Sequence, residues 1–231
     1  MKIGIIGAME EEIRQLELNI KESKAENHYD FKFILGKLGN VDVVLVQSGI
    51  GKVNASICTV LIKKIYNVDC IINTGSAGGL DSALKIGDVI IAHSLSHHDV
   101  DLTAFGYESG QMAGMPEKYY PDTHLMRTAQ QACRSQGIEP LLGLVVSGDQ
   151  FVADTDKITH ILERFPKARA CEMESAAIAQ VAYVMKVPFV IIRAISDSAD
   201  EEASLTFDEF IVSAGKKSAE IVMTMIKLLE Y

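Results

Sequence analysis

The feature that most constrains this chain is its alternation of apolar, unpatterned runs with amphipathic stretches. Residues 2–8 are apolar beyond Lys2, with no period-two pattern, as expected of a strand buried on both faces of a sheet. Residues 9–21 follow with Ile13, Leu16 and Ile20 at helical spacing and Glu10, Glu11 and Glu12 in the first turn, where carboxylates complement the helix dipole. The rhythm then repeats. Strands are predicted over 31–36 and 41–48, joined by the hairpin signal Leu38-Gly39-Asn40. The turn Gly49-Ile50-Gly51 opens a helix over 52–66, and strand 69–74 runs into a glycine-rich loop over 75–79. Strand 88–96, helix 123–136, strand 141–147, helix 155–165, strand 168–172, helix 174–186, strand 188–195 and helix 207–229 complete the reading.

Such alternation implies an α/β protein. We expect a single domain over residues 1–231, with a central mixed β-sheet flanked by helices. No stretch reads as a linker or low-complexity tract. Ligand sites in these sheets gather at the carboxyl ends of strands. That directs attention to 8–12, 48–51, 75–79, 148–152, 172–174 and 193–197.

Residues 97–121 break the rhythm. They lack clear periodicity and carry Gly106, Gly110, Gly114, Pro116 and Pro121. A loop this long in a compact domain is usually functional or interfacial.

Charge and composition exclude several partner classes. A net charge of −9 and a pI near 5.2 argue against nucleic acid or an anionic membrane as the main partner. No run approaches ~20 apolar residues, so no membrane-spanning helix is expected. The apolar N-terminal run is too short for a secretory signal. Cys58, Cys70, Cys133 and Cys171 are scattered, which reads as buried free thiols rather than disulfides or a zinc site. A cytoplasmic protein is the expectation.

The glycines do not make a dinucleotide site. Gly49-Ile50-Gly51-Lys52-Val53-Asn54 lacks the third small residue that lets helix and strand pack closely, and no phosphate-loop motif occurs. His97-His98-Asp99 resembles a metal cluster only superficially, because adjacent strand residues point to opposite faces. A structural or surface role is expected for both histidines. Met9, Met112, Met115 and Met173 read as core residues, some of them suited to line an apolar slot.

Three acidic positions invite a chemical reading. Two of Glu10, Glu11 and Glu12 are accounted for by the helix dipole, and a third at the mouth of a strand suits a general base, with Glu12 the candidate. Glu172-Met173-Glu174 joins a strand to a helix. Its acids are either first-turn charges or acceptors for a ribose diol through charge-assisted bonds. Asp197 closes the apolar run 189–196. It is either a turn-forming cap or a desolvated acid whose raised pKa lets it donate a proton near neutral pH.

These segments together resemble the bacterial 5′-methylthioadenosine/S-adenosylhomocysteine nucleosidases. The resemblance rests on 1–12, Gln47-Ser48-Gly49-Ile50-Gly51-Lys52-Val53, 72–79, Thr103-Ala104-Phe105-Gly106-Tyr107, Val146-Ser147-Gly148-Asp149, Glu172-Met173-Glu174 and 193–197. It runs from residue 1 to about 212. It implies a nucleoside phosphorylase-like fold, a homodimer, and a small nucleoside as substrate, with no metal and no organic cofactor. It further implies that Glu12 activates water, Asp197 protonates N7 of adenine, and Glu174 holds the ribose hydroxyls, with Met173 against the sugar. Ser76 and Arg193 would help place the water and ribose, with Gly78 and Ser196 also at the substrate. Phe151 would stack on adenine and the Val152 backbone would read its edge. Met9, Ile50 and Phe207 would line a 5′-thio slot, and Leu102 and Phe105 would come from the partner subunit. Val152 and Leu102 depart from the family's usual residues. A backbone contact tolerates the first change, whereas the second bears on the fit of the 5′ substituent.

Two rivals differ in kind. A phosphorylase on this fold needs cations for phosphate, and the first turn of the first helix offers three glutamates instead. A nonenzymatic nucleoside-binding protein has no use for a Glu12/Asp197 pair.

Overall fold

The computed structural model describes residues 1–199 and 203–230. Among these lie nine β-strands and six α-helices. They run β1 (Lys2–Gly7), α1 (Glu10–Asn19), β2 (Lys21–His28), β3 (Phe31–Leu38), β4 (Val41–Gln47), α2 (Lys52–Tyr66), β5 (Cys70–Gly79) and β6 (Val89–His97). Then follow α3 (Thr123–Ser135), β7 (Leu141–Ser147), α4 (Thr155–Arg164), β8 (Ala168–Glu172), α5 (Ser175–Met185), β9 (Phe189–Asp197) and α6 (Ala203–Leu228).

The strands form one mixed sheet in the order β2-β3-β4-β1-β5-β8-β7-β6-β9, and β9 pairs again with β5. Five strands therefore close on themselves, while β1 to β4 extend as a wing. Parallel ladders join β1 to β4 and β5, and β5 to β9. Antiparallel ones join β5 to β8 and β6 to β9. The apolar runs behave as their lack of pattern implies. Ile3, Ile5, Ile6, Ile71, Ile72, Val190, Ile191 and Ile192 are all fully buried, because helices cover both faces. One core lies between the sheet and α2/α5, another between the sheet and α1, α3 and α6.

Several expectations are corrected. β2 reads Lys-Glu-Ser-Lys-Ala-Glu-Asn-His, mostly exposed. It is an edge strand held by its ladder to β3, so it carries no hydrophobic period. Residues 75–79 are not a loop: β5 continues through Gly79, because Gly75, Ser76 and Ala77 keep register with Arg193, Ala194 and Ile195 of β9. The ladder to β9, joined at Gly78 and Gly79 by one to β8, overrides the weak strand propensity of glycine. β8 ends at Glu172 as expected, and β9 runs on to Asp197, two residues past 195. α6 starts at Ala203, a turn earlier than 207. The hairpin at Gly39-Asn40 forms as expected.

Residues 98–118 contain a single 3-10 turn, Thr103–Phe105. Arg164 ties down the start of the segment by donating to the carbonyls of His98 and Val100, and a bridge between Leu95 and Tyr119 ties down its end. Neither histidine is on the surface. His97 meets Gln180 of α5 at 2.8 Å, and His98 packs its ring on Gly148. Burial holds both below the usual histidine range. Among the described residues, no group of three His, Cys, Asp or Glu is placed to hold a metal. All four cysteines are free and buried. Among the described residues, no helix is long and apolar enough to cross a membrane.

Candidate active site

The first turn of α1 separates its glutamates. Glu10 and Glu11 face solvent, whereas Glu12 is buried. Its Oε2 accepts from the backbone of Ala8 and Met9 at 2.7 and 3.1 Å. Its Oε1 accepts from the backbone and the hydroxyl of Ser76 at 2.9 and 3.0 Å. The β1–α1 junction and the β5 backbone thus hold the carboxylate in one orientation. Of its four donors, only the Ser76 hydroxyl can rotate away to another acceptor.

A second acidic group lies where β8 meets α5. α5 has no side-chain cap from Glu174 at its own start. Glu172 substitutes: it accepts from the N–H groups of Glu174 and Ser175 at 3.0 and 2.9 Å, and from the hydroxyls of Ser147 and Ser175. It also pairs with Arg193 of β9. Arg193, 1% exposed, is further fixed by Asn73 Oδ1 at 2.9 Å, the Ser175 hydroxyl at 2.8 Å and the Ser76 carbonyl at 3.2 Å. Burial pushes the Glu172 carboxyl up, but Arg193 and the donors around it outweigh this and hold it below the usual range.

Glu174 has the opposite balance. Its Oε1 accepts from the Gly51 N–H at 2.8 Å, and its Oε2 lies 3.5 Å from Arg193, which is already committed to Glu172. Burial, then the charge of Glu172, push its carboxyl up to about 8.

Asp197 sits across the same space. Its Oδ1 accepts from the Ala199 N–H at 2.9 Å, and its Oδ2 from the Ser196 hydroxyl at 2.8 Å. Gly78 is what allows this approach, since a Cβ there would stand 2.8 Å from Asp197 Oδ1.

These groups line one cavity of about 320 Å³. Its walls are largely apolar, with a few convergent polar groups, as in small-molecule sites. Met9, Glu12, Ile50, Ser76, Gly78, Phe151, Val152, Met173, Glu174, Ser196, Asp197 and Phe207 all contribute to it. Phe151 and Phe207 meet edge to face at 5.6 Å. Arg193 stands behind the wall and reaches Glu12 only at 4.0 Å. Leu102 and Phe105 are outside the cavity, and Phe105 is 79% exposed.

Sequence reasoning weighed Glu172 as a first-turn charge or a ribose acceptor and missed its pairing with Arg193. It missed Asn73 and Ser175 altogether, because polar residues at strand and helix ends are common. Only the fold shows that both converge on Arg193.

The chain matches the model of the phosphorylase superfamily over residues 2–227. It is 48% identical to a 5′-methylthioadenosine/S-adenosylhomocysteine nucleosidase of Shewanella piezotolerans, over 99% of this chain and 100% of that one. It is 46% identical to the nucleosidase of that name from Neisseria meningitidis, solved in complex with methylthio-immucillin-A, with a TM-score of 0.97 and coverage of 98% and 99%. The futalosine hydrolase of Helicobacter pylori is also similar, at 34% identity and a TM-score of 0.95, covering 99% and 98%.

Proposed function

The chain belongs to the 5′-methylthioadenosine/S-adenosylhomocysteine nucleosidases of the phosphorylase superfamily, and from that premise we propose how its cavity works. It is an N-glycosidase that hydrolyses methylthioadenosine and adenosylhomocysteine to adenine and the corresponding 5-thioribose. The observation that carries the mechanism is that Glu12 and Asp197, both buried, face one mostly apolar cavity from different strand ends.

Adenine leaves as an anion unless its N7 is protonated, so the departing base needs an acid. We assign that proton to Asp197. The ribosyl group becomes cationic as the bond breaks. Glu174 is placed to bind its two hydroxyls, and the shift of its carboxyl toward 8 gives it a second use. Positive charge growing on the sugar favours its ionised form, so the attraction strengthens in the transition state. Water then adds at C1′, and Glu12 takes its proton, with the Ser76 hydroxyl turning from the carboxylate to the water. Phe151 stacks on adenine and the Val152 backbone reads its edge. Met9, Ile50 and Phe207 enclose the 5′ group, and Met173 packs on the sugar. Arg193, tied to Glu172, balances the charge behind them.

The same reading makes the protein a homodimer in the cytoplasm, acting in methionine salvage and the recycling of methyl-transfer products. Leu102 and Phe105 would reach the partner's cavity. 5′-Deoxyadenosine and futalosine-type nucleosides share the adenosine or ribosyl core and are further candidate substrates. The test is adenine release from methylthioadenosine in phosphate-free buffer, with the sugar identified by mass. Free methylthioribose is expected, unchanged by added phosphate. Activity only with phosphate, or a ribose-1-phosphate product, would mean a phosphorylase.

A further inference from the structure

The cavity spans segments that no β-ladder joins. Ile50 and Gly51 follow β4, and Phe151 and Val152 follow β7. In the sheet, β1, β5 and β8 stand between those two strands. A compact group of three charged residues bridges the gap. Asp149 Oδ1 accepts from the backbone N–H of Lys52 at 2.7 Å. Lys52 Nζ donates to Asp99 Oδ1 at 2.6 Å. Asp99 Oδ2 accepts from the Asp149 N–H at 3.0 Å. The three bonds close a triangle among segments 47 to 97 residues apart in sequence.

Local chemistry explains why the triangle forms. α2 begins after Gly51 with no side-chain cap and no acid in its first turn. Its first N–H, that of Lys52, and its positive dipole end are met from a distance by the Asp149 carboxylate. Gly51 has φ +97°, and a Cβ there would lie 3.1 Å from Asp149 Oδ1, so glycine admits the carboxylate. Lys52 and Asp99 have side chains 19% and 17% exposed, which shields their pair from solvent. Burial pushes Asp99 up, but the bonds from Lys52 and from the Asp149 N–H hold it below the usual range.

Each end of the triangle leads to the substrate. Gly51, next to Lys52, donates to Glu174. Phe151 is two residues beyond Asp149 and lines the cavity. We propose that Lys52, Asp99 and Asp149 are positioning residues that set the distance between the ribose end and the adenine end of the cavity. This rests on the nucleosidase reading. The triangle acts on binding more than on chemistry, because Glu12 and Asp197 are held by Ala8, Met9, Ser76, Ser196 and Ala199, outside it.

The experiment pairs steady-state kinetics on methylthioadenosine with calorimetric binding of adenine, for the wild type, Asp149→Ala and Asp149→Asn. Loss of a bond to a charged acceptor is expected to raise KM about tenfold and weaken adenine binding similarly. The turnover number should stay within about threefold. Asp149→Asn keeps an acceptor oxygen and should restore most of both affinities. A folded Asp149→Ala with unchanged KM and adenine affinity overturns the proposal, as does a loss confined to turnover. If Asp149→Ala does not fold, Lys52→Met keeps the backbone bond and cuts only the tie to Asp99. It should raise KM about threefold, and an unchanged KM overturns the proposal. If the wild type releases no adenine, the nucleosidase reading fails by itself. The binding arm still decides: adenine affinity weakened in Asp149→Ala supports the triangle, and equal affinity refutes it.

Discussion

The floor of the cavity and the face outside its mouth are built in opposite ways. On the floor, Glu12, Glu172, Glu174, Arg193 and Asp197 are all buried, and each is held by named hydrogen bonds from strand and helix ends. Outside, Val53 and Ile57 of α2 and Val184 of α5 are 67%, 45% and 58% exposed, beside a long segment that leaves Phe105 in solvent. Monomeric proteins rarely leave that much apolar surface contiguous and open. One chain therefore encloses its carboxylates but leaves an apolar face open. Acid and base chemistry should belong to the protomer, and enclosure of the 5′ group to an assembly.

Damage to the floor should have the largest effect. Asp197→Asn keeps the shape of the side chain but has no full proton to give the leaving adenine. Turnover should fall by roughly 10²–10⁴-fold with the fold intact. Near-normal turnover in the folded variant would refute the assignment.

The two glutamates flanking Met173 sharpen the picture, because both are buried and Arg193 with the donors around Glu172 has driven them apart. Glu174 is raised to about 8. Between the usual carboxylate range and that value, the folded protein binds a proton that the unfolded chain does not. Its contribution to stability is therefore present at low pH and lost as pH rises through 8. Glu172 is lowered and works the other way, losing its contribution as pH falls below the usual range. Across the upper window each pH unit is worth up to about 1.4 kcal/mol. The ligand-free thermal midpoint should fall between about pH 5.5 and 8.5, and Glu174→Gln should flatten the fall. A parallel fall in both proteins would remove Glu174 as its cause.

The same contrast explains what could be read from the sequence. The α/β class, all but one strand, and the carboxylates Glu12, Glu174 and Asp197 were legible. Apolar runs and acids at strand ends are local signals, and the fold brings those acids to one cavity. β2 was not legible, because an exposed edge strand needs no apolar face. The strand character of 75–79 was hidden by glycines that only the ladders to β9 and β8 stabilise. Asn73, Ser175 and the cap formed by Glu172 depend on distant pairings, so no local pattern marks them. Leu102 and Phe105 were named from the resemblance alone. A single chain leaves them outside the cavity, and the role proposed for them would depend on a partner.

The smallest effect concerns that partner. Ile57, Val60 and Val184 line one groove with Met112 of the 98–118 segment. A second copy covering the groove would bury apolar surface worth about 25 cal/mol per Å². A carboxylate placed there would be desolvated without a partner. Val184→Asp should therefore give a monomer by light scattering. Val184 makes none of the hydrogen bonds that hold Glu12 and Asp197 and does not line the cavity, so the floor should persist. What the monomer loses is the apolar cover that Leu102 and Phe105 would give the 5′ group. Partial removal of one ring's contact is worth about 0.7–1.4 kcal/mol, so KM for methylthioadenosine should rise roughly three- to tenfold. Adenine has no 5′ group, and its affinity should barely change. Phe105→Ala should reproduce the rise in KM without dissolving the dimer. If the wild type is itself a fully active monomer, the shared site falls. If Val184→Asp weakens adenine and methylthioadenosine alike, the floor and the outer face are not the separate structures described above.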